Sequence, residues 1–158
     1  MGKKLLSVFI IVIGLIMLTA CGQDDRYEEK DPEKLEEYKE IARGMIHHFN
    51  NIYTAESEEE FEDAFSIFQN PERRIDDGKK IGLYNPGLYK DAEVTISDEK
   101  ITSSNTKEGT FSYTARVKTV AEKADGGESM EATEIWMMYC KKIDGEYKVT
   151  SFNIEALK

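Results

Sequence analysis

Apolar residues recur in steps of three and four through DPEKLEEYKEIARGMIHHFNNIY, residues 31–53: Leu35, Tyr38, Ile41, Ala42, Met45, Phe49 and Ile52. That spacing places them on one face of an α-helix, with Glu36, Glu37, Lys39, Glu40 and Arg43 on the other. Asp31 suits the N-cap and Pro32 the first helical position. Gly44 lies inside and weakens the helix, which a close packing contact would explain. A second, shorter helix is expected in SEEEFEDAFSIFQNP, where Ser57 and Glu60 form a capping box and Phe61, Ala64, Phe65 and Phe68 the apolar stripe. Asn70-Pro71 is expected to stop it. Residues 71–91, with three Gly and two Pro, read as a turn-rich connection. Within it KKIGLYNPGLYK is too apolar for a plain loop and is expected to fold onto the core or line the mouth of a cavity.

The period then changes from about 3.6 to 2. AEVTISD alternates, and in GTFSYTARVKTVAEK Phe111, Tyr113, Ala115 and Val117 fall on one side, with Ser112, Thr114, Arg116 and Lys118 on the other. SMEATEIWMMYCKKI is apolar on both sides at its centre, as in a strand covered on both faces. EYKVTSFNIEAL alternates again. Asp125-Gly126-Gly127 separates the second and third patterns. Asp144-Gly145 joins the third and fourth, a strong hairpin signal. The expected fold class is α+β: two N-terminal helices packed on a curled antiparallel sheet of four or more strands.

The N-terminus follows neither period. Lys3 and Lys4 precede an apolar run over residues 5–18, and the chain turns polar after Cys21. The run is shorter than the roughly 20 residues a membrane-spanning helix needs and has the layout of a signal peptide. Leu18-Thr19-Ala20-Cys21 resembles the lipobox of bacterial lipoproteins. In that class the peptide is cut before the cysteine, whose thiol carries a diacylglycerol thioether. The resemblance implies a signal peptide at 1–20, a lipidated tether at 21–30 and a single domain at 31–158. Cys21 would be the lipidation site, holding the chain on the extracytoplasmic face of a cell membrane. The Lys/Glu-rich, Pro-poor composition leans to a Gram-positive host.

The order of a long helix, a second helix, an irregular stretch and a curled sheet resembles the cone-shaped fold of nuclear transport factor 2-like proteins, whose plan is also called cystatin-like. Small lipoproteins, some carried on conjugative elements, and assembly domains of type IV secretion systems share it. The resemblance carries no signature motif, and fold alone does not give function.

Charge narrows the classes further. The 158-residue chain has a formal net charge of −10, and loss of Lys3 and Lys4 makes it more acidic by two. It has no basic stripe for phosphates, so no nucleic-acid partner is expected. Two cysteines, one of them Cys21, leave Cys140 alone in an apolar stretch, as a buried and inert thiol. Zinc ribbons and redox pairs are excluded by count.

No catalytic, cofactor or metal motif stands out. Adjacent His47 and His48 point about 100° apart on a helix and do not converge on one ion. Glu58, Glu59 and Glu60 suit a helix N-terminus. Glu131 and Glu134 fall on the third strand with freedom to face a cavity. Enzymes of the cone fold place Asp, His or Tyr inside the cone, but spacing does not select Tyr113, Tyr139 or Arg116 for such work. The expectation is therefore no enzyme, no cofactor and no metal. The anchored domain would have an interaction or accessory role, with a protein partner at the membrane, in a machine such as a conjugation or secretion apparatus. The alternative is a small-ligand binder using the cone cavity, lined by Tyr84, Tyr89 and Trp136.

Overall fold

The computed structural model describes residues 29–157. Lipobox, signal peptide and Cys21 lie outside them. Helix α1, Pro32–Asn50, runs into a short 3-10 turn at Asn51–Tyr53, followed by α2, Glu58–Asp63, and α3, Pro71–Lys80. Strands β1, Tyr89–Asn105, β2, Thr110–Lys123, β3, Met130–Ile143, and β4, Glu146–Ala156, form one antiparallel meander in that order. The α+β plan and the four-stranded sheet agree with the pattern. No helix among the described residues is long and apolar enough to cross a membrane.

Three helices stand where two were expected. α3 occupies the first half of the supposed connection. Pro71 does not merely end the preceding segment; it occupies the first turn of α3, where its missing N–H costs nothing. The helix escaped the periodicity because Ile75 is its one large apolar residue and its buried position is Gly78. α2 is shorter than its stripe suggested. After Asp63 the backbone leaves the helix to bridge the sheet: Val149 N–H donates to Ile67 C=O (2.8 Å) and Gln69 N–H to Val149 C=O (3.1 Å). Phe65 and Phe68 remain buried, presented by turns.

The caps behave as their residue types dictate. Asp31 Oδ1 accepts from Glu33 N–H (3.0 Å) and Ser57 Oγ from Glu60 N–H (3.2 Å). Glu60 reaches back to Glu56 N–H (2.8 Å), one residue earlier than the standard box. Asp144 and Gly145 both adopt positive φ (52° and 92°), as a type I′ turn requires between paired Ile143 and Glu146.

Sheet curl comes with breaks in register. β1 shifts against β2 between Ser97 and Lys100, where Asp98 has φ 53°, and β3 shifts against β4 at Tyr139/Cys140. Such bulges bend a strand and increase its twist. The concave face receives α1: Tyr38 stacks on Phe111 with ring centroids 4.7 Å apart, and Ile46 is fully buried. β3 is covered on one face only, contrary to expectation. Trp136, Met138 and Cys140 are buried, whereas Ile135 and Met137 are half-buried and Tyr139 is exposed. Gly44 also departs from expectation: a Cβ there would meet nothing within 4 Å. The close helical glycine is Gly78, whose added Cβ would lie 3.1 Å from Phe65 Cζ.

Candidate functional site: an aromatic cavity at the mouth of the cone

The C-terminal end of α1 and the open end of the sheet do not close on each other. Between them lies a cavity of about 430 Å³. Phe49, Ile52 and Tyr53 form one wall, Phe65, Phe68 and Leu83 a second, and Trp136, Phe152 and Ile154 the sheet floor. Arg74, Asp77, Gly78 and Ile81, from α3 and its end, frame the remaining side. Rings dominate: Phe49 meets Phe65, Phe68, Trp136 and Phe152 edge-on at centroid distances of 5.2–5.9 Å. Aromatic pairs favour this geometry.

Polar groups are few and separately placed. Glu134 and Trp136 are two apart on β3, so their side chains leave the same face. Trp136 Nε1–H donates to Glu134 Oε2 at 2.9 Å. The Tyr53 phenol is pushed above its ordinary range, first by burial, then by the Glu134 charge and Tyr89. Asn50 is buried but satisfied: its Nδ2 donates to Ile46 C=O (2.8 Å), and its Oδ1 accepts from Thr119 Oγ1 (3.0 Å). Arg74 lies over the Phe68 ring (4.3 Å to the centroid) and near Phe152 (5.9 Å). Burial lowers its pKa first, Arg73 adds to this and Asp77 opposes it.

Of the residues named from sequence for a cavity, Trp136 stands on this wall, 3% exposed. Tyr84 packs on Phe61 (5.1 Å between centroids) and Tyr89 on Tyr53 (6.1 Å), and neither lines the cavity. Glu134 lines the cavity, while Glu131 faces solvent and pairs with Lys118 (2.8 Å). The alternation of β3 is the signal for this, since Glu134 shares the parity of Trp136, Met138 and Cys140. Arg74 and Asp77 were missed along with α3 itself, whereas Ile81 and Leu83 come from the apolar stretch expected at a cavity mouth.

The other candidates lie elsewhere. Tyr113 is buried and donates to Glu99 Oε2 (2.7 Å), which also accepts from Arg43 Nε (2.8 Å). Arg116 pairs with Asp98 (3.1 Å). His47 is exposed, and His48 Nε2 lies 2.8 Å from Asp63 C=O and 3.1 Å from Ser66 Oγ, tying α1 to the end of α2. Burial pushes the Cys140 thiol up to about 12. A larger hollow of about 560 Å³ is lined by residues of a single segment, 51–63, mainly polar, and lacks an apolar enclosure.

No protein-family model and no curated protein matches the sequence. Solved structures do match the fold. A putative scytalone dehydratase from Novosphingobium aromaticivorans superposes with a TM-score of 0.54 at 12% identity, over 77% of this chain and 85% of that one. Aln2 from a Streptomyces species gives a TM-score of 0.53 at 14% identity, over 80% and 92%. A type 2 hexachlorocyclohexane dehydrochlorinase, LinA, gives 0.49 at 10% identity, over 76% and 88%. With the element order, the matches above 0.5 show the cone fold of nuclear transport factor 2-like proteins. They also correct the expectation of no enzyme. A putative scytalone dehydratase has this fold, so a lack of sequence motifs is no ground for excluding catalysis.

Proposed function

We propose that this chain is a lipid-anchored, extracytoplasmic domain that holds a small, largely apolar molecule in the mouth of its cone. The carrying observation is the cavity of about 430 Å³, walled by rings from α1, the following turns and the sheet. That volume falls in the range of small-molecule sites, and the lining has their usual make-up of apolar surface with a few fixed polar groups. Anchoring rests on the sequence, where Lys3, Lys4, the apolar run, Leu18-Thr19-Ala20-Cys21 and the polar flank agree.

The same cavity bears on the expected partner role at the membrane. Exposed large apolar side chains among the described residues are Ile81, Tyr139, Ile154 and Leu157, and two of them, Ile81 and Ile154, line the cavity. This favours an opening that admits a ligand over a separate contact patch. A second reading has one observation behind it: the Glu134 carboxylate, set among rings, is positioned to accept a proton from a bound molecule.

Native mass spectrometry of the chain purified from its own membranes tests the binding reading. A bound small molecule released by Trp136→Ala, with that variant still folded, supports it. An empty chain whose melting temperature is unmoved by apolar compounds overturns it.

A further inference from the structure

Two carboxylates approach the concave face of the sheet, and they are treated differently. Glu99 is neutralised: Arg43 Nε lies 2.8 Å from its Oε2 and Tyr113 donates to the same oxygen. Glu134 has an indole N–H on one oxygen and, among the described residues, no cation within 4 Å. The cation that lines the cavity, Arg74, is committed elsewhere. Its guanidinium stacks over Phe68, and the charges acting on it are those of Arg73 and Asp77. Asp77 in turn has Arg73 (3.9 Å) and Lys80 (3.7 Å) beside it. Glu134 is thus the carboxylate of the cavity left without a positive partner. Trp136 meets it with its N–H edge, and the rings of Tyr53 and Phe49 line the same cavity.

From this we propose that the ligand is an organic cation, an apolar body bearing an ammonium group that takes the vacant partner position at Glu134. The inference deepens the binding reading and rests on it. Half-buried carboxylates gain by pairing with a cation, and aromatic faces attract one through their quadrupoles, most strongly away from water. The net charge of −10 draws cations to the mouth and repels carboxylate analogues.

The test uses three probes with one body: 1-adamantanemethylamine, 1-adamantanemethanol and 1-adamantanecarboxylate, titrated into the purified full chain. Trp136 is the chain's one tryptophan, so its fluorescence reports from the cavity wall itself. The amine is expected to bind about tenfold tighter than the alcohol, and the carboxylate more weakly than either. Glu134→Gln should bring amine and alcohol to within about twofold while alcohol binding persists, which also shows that the variant is folded. Equal binding of all three to the natural chain overturns the cation inference and leaves the apolar cavity standing. Failure of all three to bind overturns both.

Discussion

Trp136 and Glu134, two residues apart on β3, are joined by an indole-to-carboxylate hydrogen bond of 2.9 Å on the concave face of the sheet. The bond fixes the ring as cavity floor and the carboxylate as its polar point. Trp136→Phe keeps most of the apolar surface and removes the donor. It is expected to cost about 1 kcal/mol in denaturant unfolding, and Trp136→Ala about 3–5 kcal/mol by opening the floor. Equal costs for the two would mean that the ring is not packed as described.

Glu99 gives the fold a pH dependence. Burial raises its carboxyl pKa, but the hydrogen bonds from Arg43 and Tyr113 outweigh this and hold it below the usual range. A carboxyl lower in the folded than in the unfolded chain adds stability above its unfolded value and loses it as pH falls through the folded one. Glu99→Gln is expected to cost about 1–2 kcal/mol near neutral pH. The gap from the natural chain should shrink below about pH 4. A gap unchanged between neutral pH and pH 3 would contradict this.

Two helical glycines should respond in opposite directions. At Gly44 a methyl meets open space, so Gly44→Ala should stabilise by about 0.5–1 kcal/mol. At Gly78 it presses on the ring edges of Phe65 and Phe61, at 3.1 and 3.4 Å, both buried. Gly78→Ala should therefore destabilise by about 1 kcal/mol despite the better helix former. Thermal melts of the two variants decide.

Cys21→Ser should abolish incorporation of a palmitate analogue and leave the precursor uncut. Labelling that survives the substitution would refute the lipobox reading.

Cys140 is fully buried, and its thiol is pushed up to about 12 by burial. A thiol reagent should label it at the rate of unfolding, accelerating with denaturant. Immediate labelling of the native chain would show the core to be open.

Much of this architecture was legible because α1 and the strands bury one face each. Leu35, Tyr38, Ala42, Met45 and Phe49 carry the helical period, Phe111 to Val117 the strand period, and Asp144-Gly145 its turn. α3 was not legible, because its contribution to the core is Ile75 and the bare backbone of Gly78. Residues 64–69 kept an apolar stripe but tightened from α-helix into i→i−3 turns that bridge β4 at Phe68, a tertiary choice that local spacing does not encode. The cavity shows the same division. Trp136 and Glu134 follow from strand parity, whereas Arg74 and Asp77 belong to the helix that periodicity missed. Tyr84 and Tyr89 sit in an apolar stretch, yet they pack on Phe61 and Tyr53 and do not line the open space.

The central claim is that the mouth of the cone takes up an apolar molecule against Trp136. The most direct measurement is a titration of the purified full chain with neutral 1-adamantanemethanol, following Trp136 fluorescence and melting temperature together. The account predicts a saturable change in emission and a rise in melting temperature at the same ligand concentrations, with the rise lost in Trp136→Ala. An emission that drifts without saturating, with an unmoved melting temperature, would contradict it.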